Sequence, residues 1–499
     1  MSEYFQHPGA QDADDGLFRP DRLDRSVISV PLLQQLAELG DDDPVSVVFD
    51  LNLGYPSGRH PSGLDAAGER VVELLDGLHA EQPDLPFRVS RRQPNSQYLL
   101  ARLSPRFIRR VVTADLETSV DGHQAIFHVW PDFEVRALLD ASVATVKADA
   151  ARASFAATGR GIVWAVLDSG VQADHPHFAL HGNCRDLPSG LEHRNFVDDE
   201  PADSDPFGHG THVAGIIAGE AHSVEGYLSA SRSERDPDDK AMPRQVRIST
   251  ITGVAPQCKV LSYRVLDRHG VGSSGAILDA LQAVHEVNNH GRLIRIHGVN
   301  ISAGYPFKPE WFACGQSPLC AEVDRLVRSG VVVVVAAGNT GYAYGADALT
   351  SAPVAAGRAL TINDPGNADL AITVGSTHRD SPHLYGVSYF SSKGPTGDGR
   401  AKPDLVAPGE RILSAGAGQM GQRASSDGKR LDYIEHSGTS MAAPHVSGSI
   451  AAFLSVRREF IGRTARVKEI FNATATDLGR VRDFQGHGLV DLMRAIQYV

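Results

Sequence analysis

The stretch Val331-Val332-Val333-Val334-Val335-Ala336-Ala337-Gly338-Asn339 restricts the fold more than any other part of the chain. An apolar run without polar alternation reads as a strand covered on both faces, and such strands belong to parallel sheets flanked by helices. The same signature recurs at Ile162–Asp168, which ends in an acid followed by Ser169-Gly170, at Lys259–Leu266 and at His297–Ser302. Helical periodicity separates these runs, notably over Ala276–Val287 and Ala321–Ser329. Strand and helix in alternation predict an α/β fold with a doubly wound, mostly parallel sheet, whose sites form beyond the carboxyl ends of its strands.

A different pattern comes first. Residues 1–43 are polar, acidic and Pro-bearing, and read as a tail with one short helical piece near Leu32–Leu39. From Pro44 the text reads as strand (Val45–Leu51), amphipathic helix (Ala67–Leu78), strands (Phe87–Arg91 and Gln97–Leu103), a helix opened by Ser104-Pro105, and a last strand (Ala125–Trp130). That β-α-β-β-α-β order predicts a small α+β domain with two helices on one face of a sheet. The expected organisation is a tail over 1–43, the small domain over 44–140 and the larger α/β domain over 141–499. Ala137–Ala157 reads as an Ala-rich linker or surface helix, with the larger domain's own signature starting near Gly159. Glu220–Ile251 and Gly409–Glu435 read as solvated insertions.

Composition excludes some functions. The formal net charge of −12 argues against a nucleic-acid surface, which needs a basic patch. No window of about 18 apolar residues suggests a membrane span. The start has no basic-then-apolar signal segment, which on its face predicts a cytoplasmic protein or one exported by another route. Four cysteines in 499 residues are no disulfide framework. Cys184 and Cys258 read as plain thiols, while Cys314 and Cys320, close together in a Pro-containing loop, are placed for a local disulfide in an oxidising compartment.

Three polar residues stand where strands hand over to loops or helices: Asp168, His209 in Phe207-Gly208-His209-Gly210-Thr211-His212, and Ser440. Each alone reads as easily as a cap or a satisfied polar group, and His209 with His212 as a metal pair that lacks further ligands. Together they are the parts of nucleophilic acyl transfer: a serine, a base to take its proton, and a carboxylate to hold the imidazole. Ser440 opens an Ala-rich helical run, where unpaired N–H groups favour developing negative charge. Asn339 adds a side-chain amide that, with the Ser440 N–H, could donate to a tetrahedral oxyanion.

The wording around these residues resembles the subtilisin-like serine endopeptidases. Asp168-Ser169-Gly170, His209-Gly210-Thr211-His212-Val213-Ala214-Gly215 and Gly438-Thr439-Ser440-Met441-Ala442-Ala443-Pro444-His445 match that family's three active-site signatures, and Ala337-Gly338-Asn339 its oxyanion segment. Further similar text is Gly253-Val254-Ala255-Pro256, Lys402-Pro403-Asp404-Leu405-Val406-Ala407-Pro408-Gly409 and Gly486-His487-Gly488-Leu489-Val490-Asp491. The resemblance implies a peptidase acting on polypeptides through Asp168, His209 and Ser440 with Asn339 in the oxyanion hole. It also implies that Ser302-Ala303-Gly304, standing where the family has Ser-Leu-Gly, pairs with an extended peptide. Ala336, Ala337 and Gly338 would help line the pocket for the residue before the scissile bond.

The resemblance extends to the small domain, which looks like the family's inhibitory propeptide, leaving at Trp130-Pro131-Asp132-Phe133-Glu134-Val135. It would act as an intramolecular inhibitor removed by self-cleavage, with the mature chain starting between about Ala137 and Val146. No cofactor is expected. Where many relatives have a calcium-binding Asp after Asp174-His175-Pro176, this chain has His177, a poor calcium ligand, so no calcium is predicted there. The alternative is a catalytically silent peptide-binding protein with the small domain retained in its cleft.

Overall fold

The computed structural model describes residues 27–58, 60–81, 83, 87–89, 97–119, 122–131, 141–223, 228–235, 241–307, 313–346, 353–423 and 432–499. The chain forms two compact units, Met1–Ala137 and Leu138–Val499.

In the first unit four antiparallel strands lie in the order Phe87–Val89, Tyr98–Leu103, Val45–Leu51, Ile126–Pro131. Strand alternation sends Val47, Phe49, Leu99, Ala101, Leu103 and Val129 into one core, where they meet Val71 and Leu75 of the helix Gly63–Glu81 and Phe107, Ile108 and Val111 of the helix Pro105–Glu117. The second helix begins as its Ser-Pro text predicts, with Ser104 Oγ accepting from the Phe107 N–H at 3.3 Å. The expected tail needs correction. From Val27 onward it is built into this unit: Val27 and Ser29 pair through their backbones with Val129. Leu32 and Leu36 of the helix Val30–Glu38 are buried in the core. Two leucines four apart put an apolar stripe on one helix face, and that stripe outweighs the polar average of the segment.

In the second unit seven parallel strands form the sheet, in the order Leu405–Glu410, Ile372–His378, Val332–Ala336, Gly298–Ile301, Val163–Asp168, Lys259–Arg264, Arg194–Asn195. From Val163–Asp168 the chain crosses to the edge strand Arg194–Asn195 and returns to Lys259–Arg264 on one side, and from Gly298 it runs outward on the other. The strand order therefore reverses beside the strand that ends at Asp168. Alternate residues feed two cores. Trp164, Val166, Val332 and Val334 pack on the side of the helices His209–Ile217 and Thr439–Val456. Ala165, Leu167, Val333 and Val335 pack on the side of the helices Ser274–Val287 and Pro318–Arg328. Val332 to Val335 are all at most 4% exposed, and burying each such side chain is worth about 1.5–3 kcal/mol. Both faces are covered, as the unbroken apolar runs require.

Three other expectations change. The Ala137–Ala157 segment is no linker where it is described: it forms the helices Ala141–Thr145 and Ala148–Phe155, and Val143, Val146 and Ala151 are buried in the large core. Residues 132–140, where the exit Asp132-Phe133-Glu134-Val135 falls, lie outside the described residues. Neither insertion is a plain loop. Leu228–Arg235 and Ala241–Ile248 pair as a ribbon that joins Tyr433–His436 and Ile412–Ala415 in a four-stranded sheet. Ala230, Ile248, Leu413, Ala415 and Tyr433 make a small core under it, too sparse in the sequence to outvote the surrounding charge. Cys314 and Cys320 are separate, buried free thiols, as are Cys184 and Cys258. Cys320 sits in the first turn of a helix whose Ser317 cap holds its N–H at 3.3 Å, and so is committed to the core.

Candidate active site

Asp168 ends its strand and His209 begins the helix His209–Ile217, and their side chains meet, His209 Nδ1 to Asp168 Oδ1 at 2.8 Å. The approach depends on Gly210. A Cβ there would lie 2.1 Å from the Gly170 carbonyl and 2.9 Å from Asp168 Cβ. Asp168 Oδ1 also accepts the Ser169 N–H at 2.7 Å, and the carboxylate is fully buried. Asp205, a residue the sequence reading did not single out, anchors the helix start. Its oxygens take the Ser169 hydroxyl, the Gly208 N–H, and the Thr211 N–H and hydroxyl at 2.7–2.8 Å. A carboxylate just ahead of a helix is a capping signal in Asp205-Pro206-Phe207-Gly208-His209, and it could have been read as one.

The helix that carries Ser440, Thr439–Val456, contains Pro444. Proline has no N–H, so the Ser440 carbonyl lacks its usual partner four residues on. Ser302 supplies one: its hydroxyl donates to Ser440 O at 3.0 Å, accepts from Asn300 Nδ2 at 2.8 Å, and Asn300 in turn accepts from Ser447 Oγ at 2.9 Å. The contact is reciprocal, because Ser440 Oγ donates to the Ser302 carbonyl at 3.1 Å. The helix start is thus tied to the edge Ser302-Ala303-Gly304 beyond the strand Gly298–Ile301.

Asn339 follows the valine strand. Its Oδ1 accepts the Thr439 N–H at 2.9 Å and the Thr439 hydroxyl at 3.0 Å, which leaves the Nδ2 donors to the cleft. His209, Ser302, Ala303, Gly304, Ala336, Gly338, Asn339 and Ser440 line one open cleft of about 630 Å³. Ala337 does not: it is fully buried, since strand alternation turns it away between Ala336 and Gly338. Other lining residues were missed, two stretches among them. Gly270 to Ser274 line the same cleft, signalled by the run Gly270-Val271-Gly272-Ser273-Ser274-Gly275 between a strand and a helix. Asn363, in the segment after the Tyr342–Ala346 and Pro353–Gly357 hairpin, carried no signal in the sequence.

Burial of His209 works against its protonated form, but the Asp168 carboxylate, by charge and by hydrogen bond, outweighs it, so that the imidazole titrates above its ordinary value. Asp205 adds to this. His212 is engaged elsewhere than His209. It is fully buried with Nε2 on the Ile434 carbonyl at 3.1 Å, and burial holds its pKa well below the usual range. Among the described residues no group of three or more His, Cys, Asp or Glu side chains is placed to hold a metal. His177 is likewise wholly buried, its Nε2 on the Gly215 carbonyl at 3.1 Å and its ring edge-on to Phe178 and Tyr433. Burial pushes its pKa down to about 3, so it stands as a neutral imidazole among aromatic rings.

Residues 159–488 match the family model described as the subtilase family. The chain is similar to serine protease AprX of Bacillus subtilis (strain 168), 28% identical over 403 residues, 77% of this chain and 78% of the relative. It is also similar to subtilisin E of the same organism, 28% identical over 340 residues, 68% of this chain and 67% of the relative. A solved structure of MycP1 with its N-terminal propeptide removed aligns with a TM-score of 0.49 at 24% identity, covering 72% of this chain and 97% of that one.

Proposed function

The chain belongs to the subtilase family of serine endopeptidases and acts on polypeptides, and from that premise we propose that Asp168, His209 and Ser440 are its catalytic residues. The observation that carries the assignment is the 2.8 Å Asp168–His209 pair opening onto the same cleft as Ser440 and Asn339. Ser440 Oγ turns from the Ser302 carbonyl to His209 Nε2, gives up its proton there and attacks the scissile carbonyl carbon. Asp168 holds the Nδ1–H tautomer and stabilises the imidazolium. The tetrahedral oxygen is received by Asn339 Nδ2 and the Ser440 N–H, an unpaired donor of the first helical turn. Breakdown breaks the C–N bond as His209 returns its proton to the leaving amine. Water, deprotonated by His209, then releases the acyl group from Ser440. Ser302-Ala303-Gly304 would pair with the extended peptide, with Ala336 and Gly338 beside it.

The donor set around His177 does not fit calcium: calcium takes oxygen ligands, and here an imidazole occupies the position inside an aromatic cage. We assign no cofactor to the reaction.

The first unit is read as a propeptide that inhibits the enzyme until it is cut away. The β-α-β-β-α-β order that follows the first helix of that unit supports this reading. Burial of Val143 and Val146 in the core of the second unit favours a cut before Ser142, at the early end of the expected range. Wild type should be labelled by a fluorophosphonate probe, digest casein and shorten itself. Ser440→Ala should do none of these. Wild type that stays unlabelled and leaves casein intact would instead favour the silent peptide-binding alternative.

A further inference from the structure

Lys393 is a buried cation that the reaction as written does not use. Its side chain is 5% exposed, and Nζ donates to the carbonyls of Gly341 and Tyr389, each at 3.0 Å, under the ring of Phe484 at 5.1 Å. No described charged group offsets the cost of its burial, which alone draws its pKa below the ordinary lysine value. Buried ammonium groups without a carboxylate partner are unfavourable, so the two carbonyls it holds are the place to look for its role.

One of those carbonyls belongs to the turn that carries Asn339. The turn leaves the valine strand at Gly338, where φ is +108°. Most polar contacts on its outer side go to the segment Phe390–Lys393, while the Thr340 hydroxyl also reaches the Thr361 carbonyl and Asn363 Oδ1, and the Gly341 carbonyl also accepts the Arg358 N–H at 2.9 Å. Gly338 O accepts the Ser392 N–H at 2.9 Å, the Thr340 N–H meets Ser392 Oγ at 3.2 Å, and the Gly341 N–H meets Phe390 O at 3.1 Å. Gly341 lies so close that a Cβ there would be 1.9 Å from the Ser391 carbonyl oxygen and 2.9 Å from Lys393 Nζ. Lys393 also holds the segment that leads to Asn363, for its backbone N–H and carbonyl bond the Thr361 hydroxyl and N–H at 2.9 Å, two residues before Asn363. On the inner side Asn339 is held through Oδ1 by Thr439 alone.

We propose that Lys393 is a positioning residue for the oxyanion hole: by drawing in the Gly341 carbonyl it clamps the turn 338–341 against Phe390–Lys393 and so aims the Asn339 amide. The proposal rests on the role given to Asn339 above. Positioning of this kind serves the transition state and leaves ground-state binding alone, because a donor displaced by a fraction of an ångström loses its oxyanion bond first.

The experiment compares Lys393→Met, Lys393→Arg and Asn339→Ala, singly and combined, in the full chain, with active sites counted by fluorophosphonate labelling. Lys393→Met should lower kcat about 10- to 100-fold on a peptide anilide with KM changed less than about twofold. Inhibition by a peptide aldehyde, which forms a tetrahedral oxyanion on Ser440, should weaken by the same factor. Lys393→Arg should recover most of the loss, and Lys393→Met should cost less than about twofold in the Asn339→Ala background. If Lys393→Met does not fold, Lys393→Gln carries the same comparisons. Full additivity with Asn339→Ala, a loss seen only in KM, or no loss overturns the proposal. Wild type that cannot be labelled overturns instead the reading of Ser440 on which it rests.

Discussion

The roles proposed for Asn339 and Asp168 differ in kind, and replacement of the two residues should separate cleanly. Asn339→Ala removes one donor to the oxyanion and should cost about 10²–10³ in kcat with little change in KM or melting temperature; that magnitude is the one established for the corresponding amide in subtilisin itself, not one predicted from this chain. Asp168→Asn leaves a side chain of the same size but withdraws the charge that raises the His209 pKa. In wild type His209 must be neutral to accept the serine proton, so kcat/KM should rise with pH through a value above about 6.5, the ordinary histidine pKa. In Asp168→Asn the midpoint should fall, together with a loss of about 10⁴ in kcat. A pH profile whose acid limb does not move between the two proteins would contradict the pairing seen here. Asp168, His209, Ser440 and Asn339 were legible because each closes or opens a recognisable run of the chain. Asn363 and Lys393 were not, because the Thr340 hydroxyl that meets Asn363 is 23 residues away in sequence and the Lys393 ammonium meets main-chain carbonyls, of Gly341 and Tyr389, that carry no side-chain label.

Among the elements, the helix Thr439–Val456 is unusual in carrying a proline near its start, and Ser302 completes what the proline leaves open. Removing the Ser302 hydroxyl should therefore cost about 1–3 kcal/mol, the penalty of an unsatisfied carbonyl. Pro444→Ala restores an N–H in reach of Ser440 O, so Ser302→Ala should cost clearly less in that background. Urea denaturation of the four proteins of the cycle measures the coupling, and additive costs would show that the two groups do not share the carbonyl. Elements defined by unbroken apolar runs, such as Val332–Ala336, were readable to within a residue or two. The ribbon Leu228–Arg235 and Ala241–Ile248 was not, since a two-stranded extension with one thin apolar face looks, residue by residue, like a charged loop.

For the molecule as a whole, the burial of Val143 and Val146 bears on the processing proposed above. N-terminal sequencing of the matured protein should give a start no later than Ser142, whereas a later start would tear two apolar anchors from the large core. Buried histidines set the acid limit of stability. His177, His212 and His445 are fully buried, and burial holds all three below their ordinary pKa, His445 down to about 4. The folded form thus binds fewer protons than the unfolded one between these values and about 6.5. The stability they contribute is complete above about pH 6.5 and is lost as pH falls toward 4 and 3, by up to ~1.4 kcal/mol per pH unit for each histidine. Denaturant midpoints of Ser440→Ala, which cannot digest itself, should fall steadily from pH 7 to pH 4.5. The hydroxyl of Ser440 resting on the Ser302 carbonyl has a last consequence. That acceptor lies on the edge proposed for the substrate backbone, and on that assignment an arriving peptide amide would compete for it and free the serine. Reactivity would then respond to occupancy: a peptide that pairs with the edge frees the nucleophile, whereas a small electrophile is left the fraction of time in which the serine has turned away by itself.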